Sequence, residues 1–144
     1  MSTSTSKTKG GKKTGGVRTY RAALSFLFSN TNYESALRVR YNTDTFSLER
    51  MEVLLKHLGS PHKKLGSGHV AGTKGKGSTC TMLAEMLRAN DYKVGLYTSP
   101  HVMNIRERIC INGRMISEAG TTRLVQAVVP AVEKMKSDPP TFFE

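Results

Sequence analysis

The chain has 144 residues, 38% of them hydrophobic, and its 22 lysines and arginines outnumber 11 aspartates and glutamates to give a formal net charge of +11 at pH 7. That length is one domain, able to bury ~68–70% of its unfolded surface, and no apolar run approaches the length of a membrane span or a signal-peptide core. The two cysteines, Cys80 and Cys110, offer neither a disulfide framework nor metal-ligand spacing and suit a reducing, cytoplasmic setting.

Met1 to Thr19 carries Lys7, Lys9, Lys12, Lys13 and Arg18 without an acid, in a background of Ser, Thr and Gly. Such a segment lacks the apolar surface to order itself, so residues 1–16 are expected to be a disordered basic tail and residues 17–144 the folded part. A solvated tail is the reading of choice. A weak, sequence-independent patch for nucleic acid and a transit peptide are the alternatives.

Tyr20, Ala23, Leu24, Leu27 and Phe28 recur at helical spacing and predict a core-facing helix over Val17 to Ser29. A second helix is expected from Leu48 through Met51, Leu54, Leu55 and Leu58, with Ser47 as N-cap and Gly59 and Pro61 as the stop. His57 and His62 flank its end and receive no chemical role.

The central stretch is His69-Val70-Ala71-Gly72-Thr73-Lys74-Gly75-Lys76-Gly77-Ser78-Thr79. It reads as a strand, a glycine-rich turn and the start of a helix, because Met82, Leu83, Met86 and Leu87 follow at three-to-four spacing. Gly72, Gly75 and Gly77 permit backbone angles that let consecutive N–H groups face an anion, and the helix N-terminus adds partial positive charge. Lys76 would meet the outer phosphates of a nucleotide, and Ser78 or Thr79 a phosphate-bound magnesium ion. Against the usual P-loop spacing, Val70 replaces the first glycine and Gly77 replaces the hydroxyl residue. A dinucleotide-binding fingerprint fits worse, since its third glycine is absent. The competing bland reading is a flexible Gly/Lys loop before an ordinary helix.

After a turn at Asn90-Asp91, Lys93 to Thr98 reads as a second strand, so strand, loop, helix and strand form a βαβ unit with a parallel sheet. Ligands in such sheets sit beyond the carboxyl ends of the strands, which places Ser99-Pro100-His101 beside Thr73 to Ser78. Val102 to Arg108 reads as a loop, with Arg106, Glu107 and Arg108 either touching a substrate or forming a solvated patch. Ile109 to Ile116 is a hairpin about Asn112-Gly113. Ser117 caps a long helix through Leu124, Val125, Val128, Val132 and Met135, in which Pro130 should produce a kink or a division. Thr141-Phe142-Phe143-Glu144 has the pattern of a capping box, and Glu144 at the chain end is expected to be disordered.

The departures from the usual P-loop are themselves informative. Gly72 to Thr79 closely resembles the ATP loop of folylpolyglutamate synthases and dihydrofolate synthases, members of the Mur ligase superfamily. Tyr97-Thr98-Ser99-Pro100-His101, with Glu107-Arg108-Ile109 and Ile111-Asn112-Gly113 after it, resembles that family's second signature. Thr141 to Glu144 resembles its acidic, magnesium-binding segment. The likeness extends from about Tyr20 to the last residue. It implies an α/β fold, a P-loop-containing parallel sheet flanked by helices as in the Mur ligase central ATPase domain, here truncated to its N-terminal part.

The resemblance also implies ATP and Mg2+ as cofactors. ATP would be held by Gly72, Thr73, Lys74, Gly75, Lys76, Gly77, Ser78 and Thr79, with Lys76 catalytic, and the metal by Ser78, Ser99 and Glu144. Thr43, Asp44, Thr45 and Phe46 become candidate pterin contacts, with Arg50, His101 and Arg108 as further substrate contacts; helix capping accounts equally well for Asp44 and Ser47. The implied reaction adds L-glutamate to a folate or to dihydropteroate through an acyl phosphate, on small molecules, in a cytoplasmic monomer. The fragment alone is expected to be inactive. Another Mur-type ligase or P-loop NTPase shares the loop and stays open. A basic nucleic-acid-binding module is a weaker alternative, since the charge excess sits in the tail and no aromatic stacking motif accompanies it.

Overall fold

The computed structural model describes residues 16–29, 48–142 and 144. The basic tail, apart from Gly16, lies outside the described residues, as do Ser47 and the candidate pterin contacts Thr43, Asp44, Thr45 and Phe46.

Helix α1 (Tyr20–Ser29) starts at Thr19, whose hydroxyl accepts the Ala22 amide at 3.1 Å and so satisfies a first-turn donor. It packs on α4 (Glu118–Glu133) and buries Ala23 completely. Ser117 caps α4 as its sequence predicts, accepting the Gly120 amide at 3.0 Å. The buried hydroxyls of Thr121 and Thr122 donate one turn back to the Ser117 and Glu118 carbonyls, so neither is left unpaired. Helix α2 (Leu48–His57) docks on the far half of α4, where Leu54, Ala131 and Met135 form a buried cluster flanked by Met51, Leu58 and Val132. Gly59, at φ 78°, ends α2 before a 3-10 turn over Pro61–Lys64. Helix α4 runs unbroken through Pro130 rather than dividing there. Proline withholds a single amide, and here the ring lies on the exposed side while Ala131 keeps the next position in the core.

The sheet has strand order β1 (Gly95–Tyr97), β2 (Ile109–Ile111) and β3 (Arg114–Met115), antiparallel throughout. Gly95 pairs with Ile111 and Tyr97 with Ile109, and Cys110 pairs with Met115. Asn112 at φ 49° and Gly113 at φ 73° give the two left-handed residues that a tight two-residue hairpin requires. The parallel pairing expected of a βαβ unit is not formed among the described residues. Positions 66–72, ahead of the glycine turn, are nearly all exposed and belong to no strand, whereas β1 takes its ladder from β2. The hairpin is local and closes with its own turn, while a parallel partner must come from further along a chain.

Helix α3 (Lys76–Ala89) lies against β1. Of its apolar residues only Ala84 is buried; Met82, Leu83 and Met86 remain 60%, 43% and 65% exposed. The spacing that announces the helix therefore forms a stripe that the described residues do not cover. No helix among them is long and apolar enough to cross a membrane.

Candidate functional site

The glycine turn leads into α3 through Gly75, its N-cap, at φ 77° and with no side chain capping the helix. Gly72 also has a positive φ, 151°. Gly77, although a glycine permits such angles, does not use that freedom: it lies inside the first turn of α3. The Thr79 amide donates to the Gly75 carbonyl at 3.0 Å. The amides of Lys76, Gly77 and Ser78 precede that first bond and are the donors a helix leaves over at its start. Lys76 reaches back across the turn, its Nζ donating to the Gly72 carbonyl at 2.6 Å, so its charge lies over the loop. A Cβ added at Gly75 or Gly77 would meet nothing within 4 Å.

Electrostatics favour an anion at the same place. No aspartate or glutamate occurs from Val53 to Ala84, a stretch that contains Lys56, Lys63, Lys64, Lys74 and Lys76. An uncapped helix start, two glycines of positive φ and an overlying ammonium fit a phosphate group. Thr73, Lys74, Ser78 and Thr79 are exposed on this turn.

A reversal at Asn90-Asp91 then returns the chain along α3 as β1. Helix α3 is in contact with β1, and Ser99 follows that strand by two residues. The Ser99–Pro100 peptide is cis. The hydroxyls of Ser78 and Ser99 make no hydrogen bond to a described residue, and as oxygen donors they are of the class magnesium takes. Among the described residues no group of three His, Cys, Asp or Glu gathers as a metal cluster.

Beyond Ser99 the segment whose sequence predicts a loop is held by side-chain bonds. Residues Ile105–Arg108 form a 3-10 turn capped by Asn104, whose side chain accepts the Arg106 amide at 3.0 Å. Glu107 closes the box and accepts three successive amides, Val102 at 2.8 Å, Met103 at 3.1 Å and Asn104 at 2.7 Å. These bonds, led by that from Val102, lower the Glu107 pKa below its ordinary 4.5, with desolvation opposing. The Tyr20 hydroxyl joins the same cap by donating to Asn104 Oδ1 at 3.2 Å, and the Arg106 guanidinium lies 5.7 Å from the Tyr20 ring centroid. The signal for this box, Asn followed three residues later by Glu, is present in the sequence.

Two of the candidate substrate contacts meet: Arg108 Nε donates to His101 Nδ1 at 2.9 Å. Arg108 is only 4% exposed, and its guanidinium lies 5.4 Å from the Phe142 ring centroid. Phe142 in turn stacks on Phe28 at 5.7 Å.

Arg50 and Glu144 also meet, which spacing alone does not foretell. Arg50 Nε donates to Glu144 Oε1 at 2.7 Å and its NH1 to Asp138 at 3.1 Å. Glu144 is therefore ordered, contrary to the expectation that it would not be, and its side chain is as buried as that of Arg50, each 10% exposed. Glu144 Oε2 accepts the Thr141 amide at 2.7 Å, forming half of the expected capping box. The other half is missing: Thr141 Oγ1 is buried without a hydrogen-bond partner among the described residues. A carboxylate has about four acceptor positions, of which these contacts occupy two.

Comparison with known proteins settles the family. A probable bifunctional folylpolyglutamate synthase/dihydropteroate synthase of Haloferax volcanii is 39% identical over 127 residues, covering 87% of this chain and 14% of its own length. A dihydrofolate synthase/folylpolyglutamate synthase of Bacillus subtilis is 44% identical over 100 residues, 67% of this chain and 23% of its own. A solved complex of folylpolyglutamate synthase with the ATP analogue AMPPCP and folate superposes with a TM-score of 0.70 at 32% identity, over 87% of this chain and 29% of that one. The chain belongs to the folylpolyglutamate synthase/dihydrofolate synthase family. It spans about a seventh to three tenths of the length of these family members. The resemblance carried by the glycine loop, Ser99-Pro100-His101 and Thr141 to Glu144 thus identifies the family correctly. No protein-family model matches the chain.

Proposed function

We propose that the chain supplies the ATP-binding part of a magnesium-dependent ligase that adds L-glutamate to a folate or to dihydropteroate. The observation that supports this most is the open helix start at Gly75 and Lys76, with the Lys76 ammonium folded over it.

In this reading Gly72 to Thr79 hold the phosphates of ATP. The γ-phosphate passes to the substrate carboxylate, whose oxygen forms the new P–O bond as the bond to ADP breaks. The glutamate amine then attacks the acyl carbon, loses its proton and expels inorganic phosphate. The chain's task is to position the groups and balance charge on the phosphoryl oxygens, which the loop amides and Lys76 do. Ser78, Ser99 and Glu144 would hold the magnesium ion, which when bound neutralises phosphate charge. Thr43, Asp44, Thr45, Phe46, Arg50, His101 and Arg108 are assigned to the acceptor side.

The exposed stripe of α3 and the unpaired segment before Gly72 suit a larger, parallel P-loop sheet to which residues 17–144 contribute one part. The protein works as a cytoplasmic monomer on small molecules without specific nucleic-acid binding. Residues 1–144 alone do not ligate.

The test is magnesium-dependent incorporation of labelled glutamate by the complete reading frame that contains this chain, with dihydropteroate and tetrahydrofolate offered in parallel and Lys76→Ala as control. Incorporation lost in the variant supports the reading and names the acceptor. No incorporation with either acceptor overturns it.

A further inference from the structure

We propose that Arg108 fixes His101 as a neutral imidazole protonated on Nε2, so that His101 serves the site as a directional hydrogen-bond donor to an anionic oxygen. It is then neither a proton acceptor nor a metal ligand through Nδ1. The ligand half of this proposal, a phosphate or carboxylate oxygen, rests on the ligase reading above; the tautomer does not.

The tautomer follows from one contact. An arginine Nε–H only donates, and it remains protonated in proteins. It lies 2.9 Å from His101 Nδ1, so Nδ1 must offer its lone pair and cannot carry a hydrogen. A neutral imidazole then has its single N–H on Nε2, and which nitrogen is protonated is set by the bond the other one makes. Among the described residues Nε2 has no partner. His101 itself is half-exposed.

Two consecutive residues enforce this arrangement. Arg108 has little freedom to turn away, being buried against the Phe142 ring, which stacks on Phe28. Glu107 fixes the backbone that leaves His101 by binding the Val102, Met103 and Asn104 amides. The Glu107 carboxylate also faces His101, but its oxygens are engaged by those three amides. Ring and backbone are thus held by neighbouring side chains, and the ring follows directly on Ser99-Pro100. Arg108 is a positioning residue in this account, acting through His101.

The first measurement is a nitrogen-15 spectrum of the labelled chain. A scalar coupling across the hydrogen bond between Arg108 Nε and His101 Nδ1, with a pyridine-like Nδ1 and a pyrrole-like Nε2, supports the assignment. A protonated Nδ1, or a mixture of tautomers in the native chain, overturns it. In Arg108→Met the coupling disappears and the ring becomes a mixture; because that variant removes a buried group, the native spectrum remains the deciding one. The second measurement is made on the complete reading frame and compares His101→Gln, whose amide N–H stands near the Nε2 position, with His101→Asn, whose amide stands near Nδ1. AMPPCP with magnesium and folic acid are titrated separately, so the two arms tell phosphate from carboxylate. The donor role predicts binding within about twofold of native for Gln and about tenfold or more weaker for Asn in one arm. Equal losses overturn it. If neither probe binds the native protein, the ligase reading fails and the donor role with it, while the spectrum still decides the tautomer.

Discussion

Arg50 Nε and Glu144 Oε1 lie 2.7 Å apart although 94 residues separate them in the chain. Helix α2 thereby holds the segment 138–144, with Asp138 as a second, more exposed anchor. The hydrogen bond to Glu144 is the main cause raising the Arg50 pKa above the ordinary guanidinium value, so with respect to Arg50 the pair persists until strongly alkaline pH. Arg50→Met keeps the stem and removes the charge. Its expected cost is about 1–3 kcal/mol, between the values for exposed and buried pairs. A double-mutant cycle with Glu144→Gln, read by urea unfolding, should give coupling beyond ~0.5 kcal/mol; additive losses would mean the pair stabilises nothing jointly.

Acid should release the segment after His101. Because the folded Glu107 pKa lies below 4.5, its contribution is fully present above that value and is lost as pH falls through the lowered one. The Val102, Met103 and Asn104 amides are therefore expected to lose hydrogen-exchange protection, beyond the intrinsic pH effect, on the acid side of 4.5 and to keep it near neutrality. In Glu107→Gln that acid-specific loss should vanish and protection should be low throughout. An unchanged acid transition in the variant would assign it to another group.

The two glycines that bracket Lys76 should respond oppositely to alanine. Gly75→Ala places a side chain at φ 77° and should cost roughly 1 kcal/mol in thermal unfolding. Gly77→Ala adds a methyl inside a helix with nothing within 4 Å, and should leave stability unchanged or raise it by up to about 1 kcal/mol. Equal destabilisation by both would contradict the backbone described for this turn.

At the hairpin, Gly113→Ala is expected to cost roughly 1 kcal/mol, since φ is 73° there. The new methyl would also crowd the Arg88 guanidinium, the mobile end of a long side chain. Calorimetry on Gly113→Ala with and without Arg88→Ala separates the two effects: a cost unrelieved by the second change assigns it to the backbone.

Local signals in the sequence served well. All four helices announce themselves through apolar spacing, Ser117 marks the start of α4, and Asn112-Gly113 marks the hairpin. Each depends on neighbours within a few residues. What escaped depends on partners far along the chain. Nothing near Arg50 points to Glu144, and no local pattern says which strand will pair with β1, so the parallel sheet was inferred from element order where the described ladder is antiparallel. Glu107 was legible in principle through its spacing from Asn104, yet was masked by the neighbouring arginines, which made the segment look like a charged patch. The glycine loop was legible as a phosphate-binding pattern, but composition could not show that Gly77 belongs to the helix and only Gly72 and Gly75 to the turn.

Asn112 donates its amide to the Val94 carbonyl and accepts the Val94 amide on its side chain, both at 2.8 Å, while the Arg88 guanidinium overlies Gly113. The last turn of α3, the start of β1 and the tip of the hairpin are riveted together there, at the end remote from the glycine loop. One end of the α3 and β1 pair is thus closed by Val94, Asn112 and Arg88, residues that take no part in the glycine loop.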